Sequence, residues 1–200
     1  VDLLTVPLIN PLELVWVLGR NTHFISSDGI TVQHRENCPM NEDEYDELIK
    51  DPVEFITGTL FPRKFPQLAG DHDTSYELLR AAAEAFIRHR KALAKYTALA
   101  KYKYGILPYN GGKVYVPFDV IMDRLRCIKP MMIDIRRQPE KVIKACESLM
   151  TIYMKPLDKL KQMVPHGFLT LHAPPFLNRK QFEKFFWPQM REMITYIHNN

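Results

Sequence analysis

The residues best suited to chemistry are those that close short apolar runs. His172 ends Phe168-Leu169-Thr170-Leu171, a run compact enough for a buried strand. An imidazole there could protonate a leaving oxygen or orient a donor substrate, because the ordinary histidine pKa of about 6.5 allows proton loss and gain near neutrality. A hydrogen-bonded structural histidine accounts for the same pattern equally well. Asp119 follows Pro117 and Phe118 at a turn into a helix. Capping that helix is its simplest role, and substrate binding or catalysis is the competing one. Asn10, Tyr109 and Asn110 also stand at predicted strand ends and are substrate-binding candidates. Arg124, Arg126, Arg136 and Arg137 cluster around a loop and helix start, where they could clamp carboxylates bidentately or pair with Asp123 and Asp134. Arg126 joins the substrate-binding set.

These positions presuppose an alternation of strands and helices. Leu3 to Ile9 reads as a strand, followed by a helix from Glu13 to Leu18 that ends at Gly19. Asp28-Gly29 between β-prone runs predicts a hairpin across His23 to Gln33. The acidic stretch Asn41 to Ile56 predicts two short amphipathic helices, the second starting at Asp51-Pro52. It lacks the D-x-[DN]-x-[DN]-G pattern of a calcium loop, so its carboxylates read as a solvated face. A long helix is expected from Thr74 to about Tyr102, with Thr74 and Glu77 as a capping box. Leu79, Ala82, Phe86, Leu93, Thr97 and Ala100 would line its inner face. Its basic residues, among them Arg88, Lys91 and Lys95, read as an outer surface opposed by the acidic segment rather than as an anion site.

Further along, Ile106 to Gly112 and Val114 to Asp119 each run from apolar strand to polar loop, and the second leads into a helix over Val120 to Leu125. Gln138-Pro139-Glu140 starts a helix that turns Val142, Ile143, Cys146, Leu149 and Ile152 inward, with Pro156 kinking it or opening another. Asn178 and Gln181 cap a last helix whose buried side carries Phe182, Phe185, Phe186, Met190, Met193, Ile194 and Ile197, bent at Pro188.

Composition narrows the function classes. With 46% hydrophobic and 25% charged residues, the chain can bury a core, which sets disorder aside. A net charge of +4 without a basic stripe along one face gives no footprint for nucleic acid. Cys38, Cys127 and Cys146 are odd in number and widely spaced, so neither a disulfide framework nor a zinc knuckle is expected, and a reducing cytoplasm fits. No apolar run approaches the roughly 18 residues of a membrane span, and no signal peptide opens the chain. Val1 at the start and Tyr196 to Asn200 at the end read as cut ends.

Three stretches together resemble the uroporphyrinogen decarboxylase superfamily, which includes corrinoid-linked methyltransferases. The first is Asn41-Glu-Asp-Glu-Tyr-Asp-Glu-Leu-Ile-Lys-Asp-Pro-Val-Glu-Phe-Ile56, similar to a helical segment of methyltransferase-like members. The second runs from Pro117-Phe118-Asp119 through Asp123-Arg124-Leu125-Arg126 to Asp134 and Pro139-Glu140. The third is His172-Ala-Pro-Pro-Phe176 with Phe182-Glu-Lys-Phe-Phe-Trp-Pro188. Cys127 departs from the pattern by standing where the family usually has glycine. The decarboxylase's N-terminal arginine signature is missing, and His172 is followed by Ala173-Pro174 rather than by the His-x-Cys zinc motif.

The resemblance implies a (β/α)8 barrel, with residues 1–200 as one partial barrel domain covering about half of it, since a whole barrel takes roughly 250 residues. The acidic helices near 41–56 would be an insertion and the long helix near 74–102 a landmark. The remainder of the barrel would be a separate segment, a disordered region, a partner chain or a second copy of this chain. The implied function is transfer of a methyl group from a small methylated donor to a corrinoid protein. No cofactor is expected within the chain, with zinc supplied from residues outside it and the corrinoid held by the partner. Uroporphyrinogen decarboxylation in porphyrin biosynthesis is the alternative, and a non-catalytic small-molecule-binding barrel is held in reserve.

Overall fold

Capping and turn residues act where the chemistry of their side chains requires. In the computed structural model, which describes residues 3–5, 12–19, 22–109, 112–155, 157 and 167–199, strand β1 (Leu3–Thr5) and helix α1 (Leu12–Val17) precede the hairpin of β2 (His23–Ile25) and β3 (Val32–His34). The Asp28 carboxylate accepts the backbone N–H groups of Ile30 and Thr31 at 2.9 and 2.8 Å, and Gly29 takes φ +71°, so the hairpin turn forms as its sequence requires. Next come α2 (Tyr45–Lys50) and α3 (Pro52–Glu54), where Asp51 accepts the N–H groups of Val53 and Glu54 and Pro52 occupies the first turn. A wide π-turn (Phe55–Leu60) leads into α4 (Phe61–Lys64), and α5 (His72–Tyr104) comes after it.

The second half begins with β4 (Leu107–Tyr109) and β5 (Gly112–Tyr115), then α6 (Pro117–Val120), a π-turn (Ile121–Arg126), α7 (Ile128–Arg137) and α8 (Pro139–Tyr153). After β6 (Gly167–Thr170) come α9 (Arg179–Gln181), a π-turn (Phe182–Phe186) and α10 (Trp187–Asn199). Asn178 and Gln181 form the expected reciprocal capping box. The π-turn just before Pro188 is where the helix absorbs a residue that has no N–H to give the preceding turn. Pro156, predicted to kink α8, lies outside the described residues.

The barrel expectation is overturned. Helices dominate, and the strands form three separate two-stranded pairs: β1 with β4 parallel, β2 with β3 antiparallel, and β5 with β6 parallel. The apolar runs predicted as strands do become strands, but each has three or four residues and one hydrogen-bonded neighbour among the described residues. A short apolar run favours a strand without naming its partners, so the local signal holds and the closed sheet inferred from it does not.

The chain divides into two compact units: Val1–Glu36 with Phe61–Asn110, and Asn37–Leu60 with Gly111–Asn200. In the first, α1 packs on α5. The expected cap of α5 moves upstream: Asp71 accepts the Thr74 N–H at 2.9 Å, while Glu77 binds Arg80 instead. Of the expected inner face, Ala82 and Ala100 are buried, together with Ala85, whereas Leu79 and Phe86, on the same face, are exposed. Small side chains let a neighbouring backbone approach closely where larger ones would hold it off. Gly105 ends α5 in the left-handed region at φ +66°. Arg88 pairs with Glu13 at 2.6 Å.

The second unit holds the main core, with Tyr45, Leu48, Phe118, Ile121, Met131, Leu149 and Phe186 at 0% exposure. Each such apolar side chain contributes about 1.5–3 kcal/mol relative to exposure. Within the core lies a charged pair. Arg126 donates from Nε to Asp134 Oδ2 at 2.7 Å, from Nη2 to Oδ1 at 3.2 Å, and from Nη1 to the Met40 carbonyl at 2.7 Å. Tyr45 adds its hydroxyl, donating to Asp134 Oδ2 at 2.9 Å. Burial works against the Arg126 charge, but the Asp134 hydrogen bonds and charge hold its pKa above the ordinary arginine value. Burial, then the Asp134 charge, pushes the Tyr45 hydroxyl upward. The acidic segment finds its cations in this same unit, Asp46 with Lys141 at 2.6 Å and Glu42 with Arg137 at 3.7 Å.

The cysteine reading is also corrected. Cys38 and Cys127 are joined by a disulfide, with Cα atoms 5.5 Å apart and a separation of 89 in sequence, at which spacing carries no signal. Cys127 has φ +64°, unusual for a residue with a Cβ. A positive φ is a conformation that suits glycine better than a residue with a side chain. No helix among the described residues is long and apolar enough to cross a membrane.

Substitution separates the parts of the charged network. Arg126→Met strands the Asp134 carboxylate without its counter-charge and should lower unfolding free energy by about 3–5 kcal/mol. Tyr45→Phe removes one neutral donor and should cost only about 1–2 kcal/mol. Urea titrations of both variants measure this, and equal losses would show that the ion pair is not the dominant member.

Candidate functional site

The parallel pair β5–β6 places two sequence candidates at one end. Tyr115 lies opposite Thr170 in the register, so α6 leaves beyond β5 on the same side as the turn that carries His172 beyond β6. Residues just past the C-terminal ends of parallel strands are the usual suppliers of reacting groups in α/β arrangements. Asp119 and His172 therefore come together despite lying 53 positions apart in sequence.

Asp119 does not cap its own helix, whose N-cap is Val116 with no side-chain bond. Its carboxylate reaches across instead. Oδ2 accepts the His172 N–H at 3.2 Å and Oδ1 accepts the Ala173 N–H at 2.8 Å, just ahead of the short 3-10 turn Pro174–Phe176. Asp119 is 2% exposed. Burial raises its pKa above the ordinary aspartate value, the two N–H groups oppose that rise, and the Asp123 charge adds to it.

His172 is tied twice. Its backbone is held by Asp119, and its ring Nδ1 lies 2.5 Å from Asp123 Oδ2. The imidazole remains 63% exposed, while Asp123 is 29% exposed. A carboxylate at Nδ1 favours the tautomer with the proton there, leaving Nε2 as the nitrogen that exchanges a proton with a bound molecule. The sequence points to Asp123 only as an arginine partner. The signal that could have found it is its spacing of four from Asp119, which puts both carboxylates on one helical face.

Comparison of the chain with protein-family models, with curated proteins and with solved structures finds no match.

Around this dyad, the Arg124 guanidinium sits 4.5 Å from the Tyr115 ring centre, and Tyr115 meets Tyr153 edge-on at 6.4 Å. Burial pushes the Tyr153 hydroxyl pKa up. The remaining candidates separate. Arg126 is engaged by Asp134 and the Met40 carbonyl. Tyr109 ends β4, in the first unit. Asn10 and Asn110 lie outside the described residues. Cys38 and Cys127 are a close pair of soft ligands, and as a disulfide they offer a metal no thiolate.

The buried Asp119 carboxyl makes a pH signature. Its folded pKa lies above the ordinary 3.8, so between the two values the folded chain keeps a proton that the unfolded chain has lost. Its contribution to stability is complete below pH ~3.9 and is lost as pH rises through the folded pKa. Asp119→Asn removes that dependence and leaves one acceptor for two N–H groups, at a cost of about 1–3 kcal/mol. Denaturation curves from pH 3 upward should show the wild type losing stability relative to the variant as pH rises. A constant gap would contradict the buried-carboxylate assignment.

Proposed function

We propose that the second unit carries the proton-transfer site of an enzyme acting on a small methylated donor, with His172 as general acid and Asp123 as its orienting partner. The observation that carries this reading is the His172 Nδ1 to Asp123 contact of 2.5 Å on an imidazole that is still open to solvent. Asp119 braces the His172 backbone while the ring stays open to solvent, which supports a role in proton transfer. The donor class comes from the sequence resemblance to corrinoid-linked methyltransferases.

In this reading the heteroatom bearing the methyl group sits against His172 Nε2. When the methyl group leaves, its bonding electron pair stays on the heteroatom, and His172 would supply the proton that this atom takes up, the methyl acceptor being a corrinoid held by a partner protein. Asp123 keeps the ring oriented and the Nδ1 proton in place. A zinc ion, were one used, would be held by residues outside this chain and would supply Lewis-acid polarisation of the heteroatom.

Decarboxylation of a polycarboxylate asks for guanidinium groups facing the substrate. Arg126 is committed to Asp134 in the core, which removes one such group, while Arg124 remains beside the His172 dyad.

The full chain should be assayed for methyl transfer from methoxylated and methylamine donors to a cob(I)alamin protein, beside uroporphyrinogen turnover. Methyl transfer is expected, with His172→Ala lowering turnover by about 10² or more and Asp123→Asn by a smaller factor. Turnover of uroporphyrinogen alone would overturn the proposal, and unchanged kinetics in His172→Ala would make the histidine structural.

A further inference from the structure

Cys38 and Cys127 differ in everything except their bond. Cys38 is exposed, and Cys127 is 2% exposed. Cys127 is the N-cap residue of α7, a helix of ten residues, and its neighbour Arg126 anchors the buried ion pair. Cys38 lies at the start of a segment fastened independently from Met40 onward. Met40 N–H donates to the Leu125 carbonyl at 3.1 Å, Arg126 Nη1 donates to the Met40 carbonyl at 2.7 Å, and Met40, Tyr45 and Leu48 are at most 1% exposed.

We propose that Cys38 is a thiol-exchange site, at which low-molecular-weight thiols such as glutathione open the Cys38–Cys127 bond and modify the chain locally. An incoming thiolate reaches only the Cys38 sulfur. A new S–S bond forms between the small thiol and Cys38 Sγ, the Cys38–Cys127 bond breaks, and its electron pair leaves on Cys127 Sγ, which then takes a proton. The N-terminus of α7 favours the departing thiolate, because the helix dipole stabilises negative charge there. A second thiol displaces Cys38 from the mixed disulfide, giving the oxidised small thiol and a free Cys38. Both electrons of the reduction come from the two thiols.

Opening the bond loosens Asn37 and Cys38 and no more, because the buried Pro39, the hydrogen bonds at Met40 and the buried Tyr45 and Leu48 hold the chain from residue 39 onward. Retention of fold after reduction is thus part of the proposal, and it separates an exchange site from a purely structural cross-link.

The test uses the purified full chain. Oxidised with glutathione disulfide, then denatured and alkylated without reductant, it should carry one alkyl group, on Cys146. After dithiothreitol it should carry three, one for each cysteine. Limited reduced glutathione should leave a mixed disulfide that peptide mapping assigns to Cys38. On reduction, hydrogen exchange should speed up at Asn37 and Cys38 and stay unchanged in 45–50 and 139–153. Cys38→Ser should take up no glutathione, whereas Cys127→Gly, with a residue suited to the positive φ, should take up one at Cys38. Three alkylated cysteines in the oxidised chain, an adduct on Cys127, loss of helical circular dichroism on reduction, or an unmodified Cys38 in Cys127→Gly would each overturn the proposal.

Discussion

Placing the Arg126 guanidinium and the Asp134 carboxylate inside the second unit removes two charges from water, an arrangement costly enough that everything near it must replace lost hydration. Asp134 is 1% exposed, and the hydrogen bonds it receives come from Arg126 and the Tyr45 hydroxyl. Arg126 finds its other acceptor in the Met40 carbonyl. The pair thereby ties a turn, a helix and a segment more than eighty residues upstream to one point. Tyr45 reaches the carboxylate because α2 packs along α8, and that placement brings Leu48 into the core. Apolar burial supplies most of the favourable free energy of such a core, but it is non-directional. The ion pair adds the geometry.

The same segment that ends in Arg126 begins with the residues of the site. Asp119 and Asp123 lie on consecutive turns, one buried and spent on backbone N–H groups, the other half-buried and turned to the His172 ring. Two carboxylates of similar sequence context thus take different roles through environment alone, a common way of dividing work between like groups. The parallel pairing of β5 with β6 makes the meeting possible, because it delivers both strands' exits to the same end.

Local chemistry is legible in the sequence. Asp28-Gly29, Asp51-Pro52 and the Asn178–Gln181 box act as their residue types require, since each depends on backbone groups within three residues. The long helix is legible in extent but not in orientation. Its periodicity names Leu79, Ala82, Phe86 and Ala100 as one inner face, of which only the alanines are buried. The disulfide is illegible, because two cysteines 89 residues apart leave no trace in local spacing. The barrel fails for a related reason: the apolar runs are strands, but which strands pair is decided by contacts between distant parts of the chain.

His172 and Asp119 are identifiable from sequence alone as polar residues closing apolar runs, because strand and turn preferences are short-range. Their union, the intervention of Asp123, and the withdrawal of Arg126 into a buried ion pair belong to tertiary structure. Hydrogen bonds and charge pairs between residues tens of positions apart depend on distances that only the folded chain defines, and desolvation, which sets the role of each carboxylate and guanidinium, exists only once a core surrounds them.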